Sequence, residues 1–272
     1  MPDGVNLDLD AYLDRIGWHD VAMPDLATLR GLATAHVAAI PFANLHPLLG
    51  LPVSLDLASL QRKLVRDGAG GYCFEQNLLF EAVLRTIGFE VTGLIARVLW
   101  GQPDAAVTPQ THMLLRVDLD GESWLVDVGF GGHMLTGALR LQPGMEQATA
   151  HEPFRLLRHA DDWRMQSLAN GEWRTLYRFE LRPTTMVDYE VANHYVSTHP
   201  ASRFVSNLML GRTPVDRRLS LFNREFTVRR TGHDPERRML HDVAELRRVV
   251  EDEFLLRIPV GVDVDRRLKE LP

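Results

Sequence analysis

Only one cysteine, Cys73, occurs among 272 residues. That scarcity excludes an intramolecular disulfide and any zinc site needing more than one thiolate. The eleven histidines are scattered, with no H-x-x-x-H or H-E-x-x-H pair, so no resident metal is expected. No apolar run approaches the ~20 residues that span a bilayer, and no basic stretch followed by an apolar one follows Met1. Positive charge is not in excess either. Thirty Lys and Arg against 36 Asp and Glu leave a net charge of −6, which offers no hold on nucleic acid or an anionic membrane. These absences leave a cytoplasmic globular protein, monomer or homodimer, whose partners are small molecules.

The remaining composition suits a buried core, with 45% apolar and 24% charged residues, and the length allows two or three packed subdomains. Leu9 to Ile16, Leu26 to Ile40 and Leu57 to Arg66 carry apolar residues at helical spacing. A further helix starts near Cys73, where Phe80, Val83, Leu84 and Ile87 share one face, and Gly88 ends it. From Phe89 the period becomes that of strands: Glu90 to Leu99, His112 to Leu119, Ser123 to Val128, Phe154 to His159, Asp162 to Leu168 and Trp173 to Leu181. Such frequent short strands predict an antiparallel sheet or barrel. A helix over Val187 to His194, a strand-like run Leu219 to Arg229 and a helix over Val243 to Leu256 complete a mixed C-terminal end.

Cys73 stands in Gly70-Gly71-Tyr72-Cys73-Phe74-Glu75-Gln76-Asn77, where two glycines can turn the chain and set the sulfur in the first turn of a helix. The positive end of a helix favours thiolate over thiol, and thiolate is the nucleophile. A lone cysteine is equally well a small buried apolar residue. A nucleophilic thiol needs a base, and most of the histidines offer none: His19, His36, His46, His151, His159 and His241 read as solvated, and His133, His194, His199 and His233 stay open. His112 differs because it opens an alternating strand 39 residues after Cys73. Asp127 follows 15 residues later in Leu125-Val126-Asp127-Val128-Gly129, beyond the hairpin signal Asp120-Gly121. Neighbouring strands can set the carboxylate beside the imidazole, where it orients the ring and supports its charge. Alternatively Asp127 caps the turn at Gly129.

These segments resemble the nucleophile, histidine and aspartate motifs of the arylamine N-acetyltransferases, chiefly bacterial ones. Ile40-Pro41-Phe42-Ala43-Asn44-Leu45, and Ser197-Thr198-His199-Pro200 with Phe204, resemble two further stretches of that family. The resemblance implies an α+β fold of three parts: a helical bundle (1–88), an antiparallel β-barrel (89–200) and an α/β lid (201–272). It implies ping-pong acetyl transfer, with no permanently bound cofactor and acetyl-CoA as co-substrate. Cys73 would carry the acetyl group to an arylamine, hydrazine or hydroxylamine nitrogen, with His112 moving protons and Asp127 behind it. By the same resemblance Phe42, Tyr72, Phe130 and Phe204 would line the acceptor slot, and Thr111 and Gly131 would border the CoA side.

Two positions depart from the family pattern. Ala43 and Ala69 stand where the family usually has Glu and Arg, an expected ion pair. Removing both partners can be near neutral, whereas removing one strands a buried charge at a cost of roughly 3–5 kcal/mol. The same triad also serves amide synthases of this superfamily, which take an acyl-carrier thioester, and thiol hydrolases. A non-catalytic ligand-binding protein on the same scaffold would take no acetyl group on Cys73.

Overall fold

The computed structural model describes residues 7–169, 171–259 and 263–272. Helices come first: α1 (Leu9–Ile16), α2 (Leu26–Ala39), and, after the two-residue strand β1 (Phe42–Ala43), α3 (Leu45–Leu48), α4 (Leu57–Leu60) and α5 (Cys73–Ile87). Asp8, Asp25 and Asp56 cap α1, α2 and α4 by accepting from Ala11 N, Thr28 N and Ser59 N. α2 stops where Ile40 precedes Pro41, since the proline ring drives the residue before it into extended backbone. α4 does not continue as an α-helix to Arg66; Gln61–Arg66 is a π-helical turn. Phe74, Phe80, Val83 and Leu84 of α5 are fully buried. Each contributes about 1.5–3 kcal/mol by leaving water.

Eight strands follow: β2 (Glu90–Val98), β3 (Gln110–Leu119), β4 (Glu122–Val126), β5 (Leu139–Arg140), β6 (Glu146–Gln147), β7 (Phe154–His159), β8 (Asp162–Ala169) and β9 (Glu172–Phe179). They form an antiparallel sheet in the order β5-β4-β3-β2-β9-β8-β7-β6, curled into a nearly closed barrel. The two ends are tied by one side chain. Arg140 N donates to Gln147 Oε1 at 2.7 Å, and Gln147 Nε2 donates to Arg140 O at 2.9 Å, standing in for a ladder pair. The hairpin signal at Asp120-Gly121 is realised, with φ of 53° and 77°, the left-handed pair that matches strand twist.

The C-terminal end holds α6 (Met186–Thr198), α7 (Arg203–Ser206), β10 (Met209–Arg212), β11 (Arg218–Phe222), β12 (Glu225–Arg229), β13 (Glu236–Met239), α8 (Val243–Arg248) and α9 (Val264–Lys269). The run Leu219 to Arg229 is two strands rather than one. Asn223, at φ 51°, supplies the left-handed turn without a glycine to announce it. Likewise α8 gives way to a π-helical turn over Val249–Glu253 instead of running α-helically to Leu256. β1 pairs with β10 through Phe42↔Gly211 and Ala43↔Leu210, and Phe42 also bridges Gly71. The loop before Cys73, β1 and the C-terminal sheet therefore meet edge to edge.

Candidate active site

Gly70 and Gly71 bring the chain into α5. Gly70 has φ 65°, and a Cβ there would lie 2.7 Å from Leu256 Cδ2 and 2.8 Å from Pro41 O, so no side chain fits. Glu75 returns from the first helical turn to accept from Tyr72 N at 3.1 Å. Its other oxygen pairs with Lys63 Nζ at 2.6 Å. Burial pushes the Glu75 pKa up, more than Lys63 pulls it down.

Cys73 is thus the first residue of α5, only 3% exposed, and its Sγ–H donates weakly to Thr111 O at 3.5 Å. His112 lies beside it on β3. The β3–β4 register pairs Leu115 with Val126, and one further step would set Asp127 opposite Leu114, on the same face as His112. The side chains meet: His112 Nε2 donates to Asp127 Oδ2 at 2.7 Å. Burial alone would lower the His112 pKa, but the Asp127 charge and hydrogen bond, joined by the Cys73 sulfur, push it up to about 10. For Asp127, burial alone would raise the pKa. The His112 charge, with hydrogen bonds from His112, Gly129 N and Asn77, holds it below the usual carboxylate range.

The buried carboxylate is fully satisfied. Oδ1 accepts from Gly129 N at 2.9 Å and Asn77 Nδ2 at 3.1 Å, and Oδ2 accepts from the Tyr177 hydroxyl at 3.0 Å besides His112. Asn77 also donates to Met113 O at 2.8 Å and accepts from Val128 N at 3.1 Å, tying α5 to β3 and to the segment just past β4. The Tyr177 ring lies 4.8 Å from that of His112. Gly129 is where backbones touch: a Cβ would fall 2.7 Å from Cys73 Cα. The turn at Gly129 and the orientation of His112 therefore both use Asp127.

The aromatic candidates form two groups. The ring centroid of Phe204 lies 6.1 Å from Phe42 and 5.4 Å from Tyr72, while Phe130 stands edge-on to His112 at 5.1 Å. Tyr72 is fully buried and its hydroxyl donates to Asn193 Oδ1. It backs Phe204 from inside. Gly131, at φ 73°, lies against Phe42: its absent Cβ would sit 3.5 Å from that ring. Thr111 borders a groove of about 570 Å³ with Ile95, Pro109, Val191 and Tyr195. A larger cleft of about 1480 Å³ does not reach Cys73 but includes Trp100, His133, Arg218, Arg229, Arg230 and Arg237.

Three histidines depart from the solvated reading. His36 is fully buried, and burial lowers its pKa to about 4; half-buried His46 is likewise lowered to about 4, first by burial and then by Lys63. His151 too is tied down, with Nε2 2.8 Å from Pro214 O. Among the described residues no group of His, Cys, Asp and Glu could hold a metal ion, and no helix is long and apolar enough to cross a membrane.

A family model described as N-acetyltransferase matches residues 25–262. The arylamine N-acetyltransferase of Mycolicibacterium smegmatis is 46% identical over 230 residues, which cover 83% of this chain and 84% of that protein. This chain belongs to the arylamine N-acetyltransferase family. The Escherichia coli K12 arylamine N-acetyltransferase is 42% identical over 256 residues, 94% of this chain and 89% of that one. The solved structure of the Mycobacterium marinum arylamine N-acetyltransferase in complex with CoA aligns at a TM-score of 0.93 and 39% identity, over 97% of this chain and 99% of that one. As an arylamine N-acetyltransferase the protein is an acyltransferase, with the mixed α+β fold and antiparallel barrel that its motifs implied. In this N-acetyltransferase Ala43 and Ala69 are both buried, and Ala43 packs in an apolar cluster with Leu210, Phe254 and Leu256.

Proposed function

We propose that the protein transfers acetyl from acetyl-CoA to an arylamine, hydrazine or hydroxylamine nitrogen in two half-reactions through Cys73. The observation that carries this reading is one ring with two partners: Asp127 at 2.7 Å from His112 Nε2, and the Cys73 sulfur engaging the same imidazole. A protonated His112 favours the thiolate beside it. In the first half-reaction that thiolate attacks the acetyl carbonyl; the tetrahedral intermediate collapses, the C–S bond to CoA breaks, and His112 gives its proton to the departing sulfur. In the second, the acceptor nitrogen attacks the acetyl-cysteine, His112 takes the proton it sheds, and the amide leaves as the Cys73 thiolate re-forms. Asp127 keeps the ring oriented and supports its charge throughout.

Phe42, Phe130 and Phe204 form the walls of the acceptor slot in this reading, with Tyr72 stiffening them from behind. Thr111 and Gly131 flank the thioester. The arginine-lined cleft supports a place for the donor's phosphates, since three of its cations, Arg229, Arg230 and Arg237, accompany the buried Arg218–Glu152 pair. In this reading the chain divides at residues 88 and 200, with β1 lent by the first part to the sheet of the third. A cytoplasmic setting, as monomer or homodimer, completes the reading. Intact-protein mass spectrometry after brief exposure to acetyl-CoA should show one acetyl adduct on wild type and none on Cys73→Ala. An adduct that survives the substitution refutes the assignment.

A further inference from the structure

A second buried polar chain lies behind the nucleophile helix, and the acetyl transfer makes no direct use of it. His36, on α2, has Nδ1 2.9 Å from the Tyr12 hydroxyl and Nε2 2.7 Å from Gln76 Oε1. Gln76 lies on α5, three residues after Cys73. Its Nε2 donates to Pro41 O at 2.8 Å and Gly71 O at 3.1 Å. Those two carbonyls belong to the segments that build the site. Gly71 leads into Tyr72 and Cys73, Pro41 leads into Phe42, and Gly71 O also accepts from Ala43 N at 2.9 Å.

The donors and acceptors leave one consistent arrangement. Two carbonyl partners claim both hydrogens of the Gln76 amide, so Oε1 faces His36, and His36 must donate from Nε2. Its Nδ1 is then the acceptor, and the Tyr12 hydroxyl is the donor that fixes this tautomer. Burial keeps Tyr12 protonated, its pKa raised well above the ordinary value, and keeps His36 neutral near pH 7. The other tautomer would present a lone pair to Gln76. The amide would turn over and set its oxygen against the Pro41 and Gly71 carbonyls, driving apart the segments that carry Phe42 and Cys73.

We propose that His36 is a positioning residue for acetyl transfer, holding the Gln76 amide in the one orientation that ties the Cys73 loop to the Phe42 strand. This rests on reading Cys73 as the nucleophile.

The test is single-turnover acetylation of Cys73 by acetyl-CoA, followed by intact mass, in wild type, His36→Phe, His36→Gln, Tyr12→Phe and Val37→Ala. His36→Phe should slow acetylation roughly tenfold, the usual cost of leaving a buried acceptor unpaired. The pH profile should keep its wild-type shape, because His36 moves no proton. His36→Gln, whose amide can donate to Gln76 and accept from Tyr12, should restore most of the rate. Val37→Ala removes a buried side chain from the same helix and controls for plain destabilisation. His36→Phe reacting at the wild-type rate overturns the proposal, as does equal slowing in a Val37→Ala protein of matched melting temperature. Should His36→Phe fail to fold, Tyr12→Phe decides: slower acetylation supports the tautomer lock, and an unchanged rate refutes it. A wild type without an adduct removes the nucleophile assignment itself; a wild-type adduct with an unaffected His36→Phe removes this inference alone.

Discussion

Asp127→Asn probes the site at its most deeply held member. The wild-type carboxylate is fully buried and accepts from His112, Tyr177, Asn77 and Gly129 N. An amide keeps the shape and can keep the oxygen that serves Asn77 and Gly129. At the other position an NH2 would meet the N–H of His112, two donors face to face. The charge is lost as well. Burial lowers the His112 pKa, and Asp127, joined by the Cys73 sulfur, more than reverses it, raising it from 6.5 to about 10. Without the carboxylate only the Cys73 sulfur would oppose the burial penalty, so His112 should lose most of its charge at pH 7 and favour the thiolate far less. Because Cys73 is the only cysteine, iodoacetamide alkylation read by intact mass reports it without background. Alkylation at pH 7 should slow by an order of magnitude or more, and acetyl transfer by something on the order of the 10⁴-fold seen for the same exchange in a serine triad. An Asp127→Asn protein with native circular dichroism and a wild-type alkylation rate from about pH 6 to 9 would refute the reasoning, since His112 unsupported by a charge could not sustain that rate.

Other perturbations follow from the same structure. Stability should peak near pH 6.5. The raised pKa of His112 gives stabilisation that is full below 6.5 and lost as pH climbs towards 10, whereas the lowered pKa of His36 gives stabilisation present above 6.5 and lost as pH falls towards 4. Thermal scans of wild type and His36→Gln across that range check it, and an equal acid-side fall in both would exclude a buried neutral His36. Gly129→Ala forces a Cβ to within 2.7 Å of Cys73 Cα, so the melting temperature should drop in keeping with a loss of about 1–3 kcal/mol, and acetylation should slow with it. An unchanged protein would mean that the two backbones are free to part. Ala43→Glu should destabilise by roughly 3–5 kcal/mol by placing an unpaired carboxylate among Leu210, Phe254 and Leu256, and adding Ala69→Arg should recover part of it. Strictly additive melting shifts in that cycle would show that the two positions do not couple.

The elements legible in the sequence were those whose signals are local. Asp120-Gly121 could be read because a two-residue hairpin demands left-handed backbone at both positions. α5 could be read because its apolar spacing begins at a Gly-Gly turn. The hairpin at Asn223 and the π-helical turns after Leu60 and Arg248 were not visible. Asparagine takes left-handed backbone without a distinctive pattern around it, and a π turn differs from an α turn only in which carbonyl each N–H finds. At the site, Cys73, His112 and Asp127 could be singled out by residue type and strand parity. Asn77 sits one helical turn after Cys73, so its place on the same face was within reach. Tyr177 was not, since it reaches Asp127 only through the closure of β9 onto β2 across the barrel. His36 misled for a related reason: its helix offers an ordinary polar position, and only the tertiary partners Tyr12 and Gln76 make burial affordable.

Ala43 and Ala69 show how one constraint can be met by different physics. The loop before Cys73 has to be held against β1, and a Glu–Arg pair spanning positions 43 and 69 would do so electrostatically. Here both residues are small, and the space around Gly70 is closed by Leu256 and the Pro41 carbonyl, with Ala43 in the C-terminal apolar cluster. Near Cys73 a charge pair of Lys63 with Glu75 fixes the first turn of α5 through Tyr72 N. Anchoring the loop is thereby shared between a hydrophobic contact made by the C-terminal segment, an ion pair from the turn after α4 and the Gln76 amide. Of these, the Leu256 contact gains strength with apolar burial and is indifferent to salt. The Cys73 loop should accordingly tolerate high ionic strength better than in an Ala43→Glu/Ala69→Arg variant held by the charged pair, and salt-dependent alkylation rates of the two proteins would measure the difference.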